Sequence, residues 1–105
     1  MNIQFKKGVL ELCVLSLLNM EDRYGYELVE TISEDISISE GTIYPMLRRF
    51  KNDGLVITYL KESTSGPSRK YYSITDKGRE FYLYNLSEWN NFVDSVNKIL
   101  RSDNS

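Results

Sequence analysis

A mainly α chain with one small β-hairpin and a long closing helix is the architecture the sequence predicts, and three observations predict it. Apolar residues recur at helical spacing through most of the first half. Two runs rich in β-branched and aromatic residues, LVITYLKE and KYYSIT, flank the polar tip STSGPSR at residues 63–69. From Phe81 to Leu100 another apolar set keeps a spacing of three and four for several turns.

The elements follow in order. Apolar spacing predicts a first helix from Val9 to Leu18, ended by the polar turn MEDR after Asn19. A second helix is predicted from Tyr24 to Glu34, with Tyr24, Leu28 and Ile32 at i, i+4 and i+8. The linker DISIS leads into a third, EGTIYPMLRRFKN, which places Ile43, Leu47 and Phe50 on one face. Asn52-Asp53-Gly54 closes it, glycine being the natural left-handed residue past a helix C-terminus. No strand is expected before Leu55. The hairpin that follows has a connection that reads as longer than a tight turn. Thr75 or Asp76 caps the last helix, and Asp76 and Glu80 suit the dipole at its start. Its seam is Phe81, Tyr84, Trp89, Phe92, Val93, Val96, Ile99 and Leu100, and the tail RSDNS is expected to fray.

Three helices, a hairpin and a long helix make the order of a winged helix-turn-helix with an appended dimerisation helix, whose third helix enters a major groove while the hairpin lies along the backbone. Residues 1–78 are then the DNA-binding domain and 79–105 the C-terminal dimerisation helix.

Bulk composition narrows the chemistry. A chain of 105 residues makes one modest domain that oligomerisation would help stabilise. The most apolar segment, VLELCVLSLLNM, is interrupted by Glu11 and Ser16, so no membrane span is expected, nor is a signal peptide. With Cys13 as the lone cysteine and no histidine, an internal disulfide and a tetrahedral zinc site are both excluded, and the reading is a cytoplasmic chain without cofactor or metal. The absence of histidine, of a glycine-rich phosphate loop and of a nucleophile–base pair argues against an enzyme. Cys13, between Leu12 and Val14 with no basic neighbour, reads as a buried and inert thiol, against a redox sensor.

The net charge of −2 hides an asymmetry. Residues 1–47 carry three basic and eight acidic side chains, residues 48–79 eight and three, and residues 80–105 two and four. A basic middle between acidic flanks is the footprint of a localised polyanion contact.

The runs SEGTIYPMLRRFKNDGLV and GPSRKYYSITDKG resemble the PadR family of bacterial transcriptional regulators, whose motifs are a Gly-Thr-(Leu/Ile)-Tyr-Pro core and a basic RKYY-(Leu/Ile)-T-x-x-G stretch. Tyr24-Gly25-Tyr26-Glu27-Leu28 is similar to that family's second helix, and the likeness covers about residues 8–79. The short C-terminus looks like the subfamily without a separate effector domain. The resemblance implies the fold, a homodimer and a repressor.

On this reading the end of the third helix that meets DNA is the end that carries two helix-weakening residues. Ser39 is its N-cap and Glu40 lies in the first turn. Pro45, in the second, leaves the Gly41 carbonyl without its usual partner, at lower cost if the helix effectively starts at Thr42. Gly41 lets the backbone approach a phosphate or base edge. Ser39, Thr42 and Tyr44 supply hydroxyls, and Arg48 and Arg49 supply cations one turn on. Glu40 either accepts from cytosine or biases the helix dipole. On the wing, Lys61, Arg69 and Lys70 flank a tip of small residues, including Gly66 and Ser68, suited to a phosphate backbone. Tyr71 and Ile74 are expected beneath the wing, Tyr72 either there or on DNA, and Lys6 and Lys7 either on a phosphate or in solvent. An isolated basic helix would read as a solvated face, and the cations of the adjoining wing argue against that; the rival is a winged helix that binds protein, and the basic charge of the third helix argues against it.

Trp89 has two readings. A lone tryptophan on an apolar stripe is ordinarily a dimer-core aromatic. The resemblance adds another, because some short PadR-like regulators look to stack flat aromatic ligands on a tryptophan of this helix, between subunits. Phe5, Gly8 and Leu12 with Phe92 and Val93 would surround such an effector, which would be a hydrophobic or cationic aromatic molecule. Leu12 and Val93 stand where those relatives carry polar groups, a departure that points to a cavity closed by packing. Effector binding at this seam would alter the spacing of two recognition helices, roughly 34 Å apart on a palindromic operator, and release the DNA.

Overall fold

The computed structural model describes residues 3–101, with side chains described from Gly8 onward. The order is α1 (Ile3–Met20), β1 (Arg23–Tyr24), α2 (Gly25–Ser33), α3 (Glu40–Asn52), β2 (Val56–Ser63), β3 (Gly66–Ile74) and α4 (Asp76–Arg101). It is a winged helix-turn-helix closed by a long helix, as the sequence predicts. The side chains of Phe5, Lys6 and Lys7 and the tail 102–105 lie outside the described residues.

One face of each helix of the first half meets in a single core. Leu10, Val14, Leu15 and Leu18 of α1 pack with Leu28, Val29 and Ile32 of α2 and with Ile43, Met46, Leu47 and Phe50 of α3. Val56 and Tyr72 close the core from the sheet and Tyr82 closes it from α4. The periodic face read for the third helix is therefore the buried one, which leaves Arg48 and Lys51 exposed on its outer side.

The structure departs from the sequence expectation at four places. The first helix is longer, with 18 residues from Ile3 instead of starting at Val9. Tyr24 does not open the second helix but belongs to β1, which pairs antiparallel with β3 through Arg23↔Tyr72 and Tyr24↔Tyr71 and makes the hairpin a three-stranded sheet in the order β1-β3-β2. Two residues have no alternation to read, so only pairing with a distant strand defines them. The wing is tighter than expected, since β2 and β3 run up to Ser63 and Gly66 and leave Thr64 and Ser65 between them, with a register irregularity between Lys61 and Ser63.

The fourth departure is in α4. Its buried residues are Gly78 and Tyr82, neither on the expected seam, and the Tyr82 hydroxyl donates to Ser16 Oγ at 3.1 Å. Of the seam itself, Phe81, Tyr84, Phe92, Ile99 and Leu100 are exposed, as is Leu83. Apolar residues ring this helix, so it has one face on its own domain and a second facing outward. The radius of gyration of 16.1 Å, against about 13 Å for a compact domain of this size, reflects the projection of α4 as an arm.

Two sequence motifs lock together where that arm leaves the body. Gly54 adopts φ 75° after α3, the left-handed conformation anticipated for it. Thr75 Oγ1 donates to the Gly54 carbonyl at 2.7 Å and accepts from the Gly78 N–H at 3.0 Å, so it caps α4 while clasping the α3 turn. Lys77 Nζ adds a bond to the Asp53 carbonyl at 2.8 Å. A Cβ on Gly78 would lie 2.0 Å from the Leu55 carbonyl oxygen, so the glycine of the TDKG motif is required by backbone contact.

Candidate nucleic-acid interface

The N-terminal turns of α3 present Ser39, Glu40, Gly41, Thr42 and Pro45, all exposed. Ser39 holds the N-cap backbone geometry (φ −124°, ψ 162°) without a side-chain cap bond, its Oγ lying 3.4 Å from Thr42 Oγ1. Two hydroxyls therefore remain at the helix start, where backbone N–H groups also point outward. The helix begins at Glu40, so Pro45 lies inside it and the saving expected from a start at Thr42 is not realised. The Gly41 carbonyl that loses its partner is at an exposed residue, where water can serve it. A Cβ on Gly41 would meet only Ser39 Oγ, at 3.6 Å, so no packing of the chain itself requires a glycine there.

Tyr44 is half-buried because its ring packs on Gly25, where a Cβ would fall 2.5 Å from a ring carbon. Burial, and secondarily the charge of Glu40, push its phenol above the ordinary value, so it stays a hydroxyl donor at neutral pH. Beyond it, Tyr44 and Arg48 of α3, Arg69, Lys70 and Tyr72 of β3, and Tyr24, Gly25 and Tyr26 enclose an open cleft of about 390 Å³. Three cations thus converge between the third helix and the wing, and among the described residues none of the three is in an ion pair. Desolvation raises the Tyr72 phenol while Arg48 beside it acts in the opposite sense, and Tyr72 is a buried wall of this cleft.

The other expected residues divide. Lys61, Gly66 and Ser68 are exposed along the hairpin but outside the cleft. Arg49 points back into the body, pairs with Glu11 of α1 and lies over the Phe50 ring, with its guanidinium carbon 5.7 Å from the centroid. Sequence reading did not find Tyr24, Gly25 and Tyr26 as cleft residues. They precede the third helix by 14–16 positions and reach the cleft only because β1 joins the sheet.

Away from the cleft, α1 and α4 enclose an open hollow of about 440 Å³ lined by Gly8, Val9, Leu12, Asn85, Glu88, Trp89 and Phe92. Four of the six expected residues meet there; Val93 is half-buried but does not line it, and Phe5 lies outside the described side chains. The Trp89 and Phe92 rings are 6.5 Å apart and tilted by 42°. Leu12 and Trp89 also line a neighbouring hollow of about 380 Å³ with Cys13, Tyr82 and Leu86. In the single protomer Leu12 does not seal either space. Cys13 is half-buried and lines this second hollow instead of being buried as expected; its partial burial raises the thiol above its ordinary value, consistent with weak reactivity.

A three-helix body, a short third strand and a basic wing define a winged-helix protein, and similarity to known proteins defines its family. The Transcriptional regulator PadR-like family matches residues 14–83, and the chain belongs to it. A PadR-like transcriptional regulator of Bacillus cereus is similar in structure at TM-score 0.86 and 42% identity, covering 94% of this chain and 98% of that one. A PadR-like transcription factor of Bacteroides fragilis is 40% identical at TM-score 0.78, covering 91% and 94%. The chain is also 30% identical over 88 residues to the transcriptional regulator YqjI of Escherichia coli, of which it spans 41%. These neighbours are transcriptional regulators, not enzymes, and no helix among the described residues is long and apolar enough to cross a membrane.

Proposed function

We propose that this regulator is a homodimeric repressor that binds a palindromic DNA operator and is released from it by a small hydrophobic or aromatic effector. The convergence of Arg48, Arg69 and Lys70 on one cleft between α3 and the wing carries the reading. The α3 start, with Ser39, Gly41 and Thr42, enters the major groove, and the cleft seats the backbone strand that crosses between helix and wing. Residues 1–78 act as the DNA-binding unit. Arg49, committed to Glu11, orients α3 instead of meeting a phosphate.

The outward apolar stripe of α4 formed by Phe81, Tyr84, Phe92 and Ile99 takes a second copy of the chain. The helix is about 39 Å long, and burying such residues in a monomer–dimer equilibrium contributes about 1.5–3 kcal/mol each. Residues 79–105 form the dimerisation arm, and the Trp89 hollows lie beside it. Glu11 adjoins Leu12, which lines both hollows, so a ligand that displaces α1 reaches α3 through the Glu11–Arg49 pair. Effector and operator must then weaken each other reciprocally.

Selection of tight sites from a random duplex library tests the reading. An enriched palindrome with half-sites one helical turn apart supports it, together with dimer sedimentation that Phe92→Lys disrupts. A library that stays random supports the rival reading, a winged helix that binds a protein. A ligand that binds tightly and leaves operator affinity unchanged would end the release mechanism.

A further inference from the structure

The wing carries a row of tyrosines that the DNA-binding reading does not by itself use. Strand register aligns Tyr24 of β1 with Tyr71 of β3, and Tyr71 with Tyr59 of β2, so the three rings lie side by side across the sheet on one face. Tyr24 and Tyr71 meet edge to face with centroids 5.5 Å apart, and Tyr71 and Tyr59 stack at 5.7 Å with planes 16° apart. The Tyr59 hydroxyl donates to Asp22 Oδ2 at 2.7 Å, tying the far end of the row to the turn after α1.

Two residues nearer the tip, on the same face, Arg69 sits directly across from Lys61. Like charges opposite one another destabilise a strand pair, and among the described residues neither has a carboxylate partner. Each instead lies over a ring of the row, Arg69 with its guanidinium carbon 4.7 Å from the Tyr24 centroid and Lys61 with its ammonium 5.2 Å from that of Tyr71. We propose that the Tyr24–Tyr71–Tyr59 row is a positioning device that holds Arg69 and Lys61 side by side, against their repulsion, for the sugar-phosphate backbone of the operator. The inference rests on the DNA-binding reading. It makes β1, the two-residue strand, the anchor of the wing, with Tyr24 as the positioning residue that contacts Arg69 and not necessarily DNA.

The test compares Tyr24→Leu, Tyr24→Phe and Arg69→Ala in binding to the duplex enriched by the wild type, across a series of salt concentrations. Loss of a phosphate contact lowers the slope of log affinity against log salt by about one, whereas loss of positioning lowers affinity and leaves the number of contacts alone. Tyr24→Leu is expected to bind about tenfold more weakly, the scale of about 1.4 kcal/mol, with the wild-type slope. Tyr24→Phe keeps the ring and is expected to stay within about twofold of wild type, because the cation–ring contact is retained. Arg69→Ala is expected to lower the slope. In the free protein, the upfield ring-current shift of the Arg69 side-chain protons should persist in Tyr24→Phe and vanish in Tyr24→Leu. Wild-type binding by Tyr24→Leu, or equal losses in the Leu and Phe variants, overturns the proposal. If Tyr24→Leu does not fold, Tyr71→Leu and Tyr71→Phe, read at Lys61, replace the pair. A wild type that binds no duplex defeats the DNA reading and removes the phosphate partner with it, while the ring-current shift separately reports whether the row holds the cation.

Discussion

Two hollows of similar size, which share no lining residue, differ in almost every other respect. The cleft between α3 and the wing, about 390 Å³, brings together Arg48, Arg69 and Lys70 and the rings of Tyr24, Tyr26, Tyr44 and Tyr72. The hollow between α1 and α4, about 440 Å³, brings together Trp89, Phe92, Leu12 and Val9 with Glu88 as its charged residue. Volume therefore says nothing about what each accepts. On the proposed reading the first takes a polyanion, because unpaired cations there lower their energy on meeting phosphate. The second is built to lose water, because apolar surface is what it exposes. Glu11–Arg49 is a direct polar link between the helices that bear them.

The largest expected effect removes the frame that both share. Gly78→Ala forces a Cβ onto the Leu55 carbonyl, and since backbone cannot step aside it should destabilise the fold by about 3 kcal/mol, measured by denaturant unfolding. Next, Gly25→Ala meets the Tyr44 ring and acts on the cationic side alone. A cost of about 1–3 kcal/mol in stability is expected, with weakened operator binding but undisturbed ligand binding at Trp89, read by tryptophan fluorescence. Gly41→Ala sharpens the contrast in the opposite sense. Nothing in the protomer opposes the new methyl, so stability should rise by about 0.5–1 kcal/mol, and a simultaneous fall in operator affinity would assign the glycine to DNA. The smallest effect is chemical. Because burial raises the Cys13 thiol, its labelling at pH 7.5 should be slower than that of a free cysteine and should accelerate as pH rises past the ordinary thiol range.

Most of the cationic side was legible in the sequence because its signals are local. The helix-period face of Ile43, Leu47 and Phe50 dictates where Arg48 points, and the basic flanks of the wing tip are contiguous. Gly54 and Thr75 were readable as caps for the same reason, being local requirements of a helix end. What escaped depends on distant pairing. β1 is two residues long, so its strand character and the tyrosine row exist only through β3. Arg49 and Arg48 are indistinguishable as neighbours in sequence, yet a carboxylate 38 positions away turns one inward. On α4 the run Phe81-Tyr82-Leu83-Tyr84 is apolar all round, so periodicity could not say that Tyr82 faces the body while Phe81 and Tyr84 face outward.

Operator affinity as a function of salt, for the wild type and for Arg48→Ala with Lys70→Ala, addresses the central claim most directly. The account predicts a steep fall with salt in the wild type and, in the double variant, weaker binding with a slope smaller by about two. Equal slopes and equal affinities would contradict it, and would make the cations of the cleft a solvated surface.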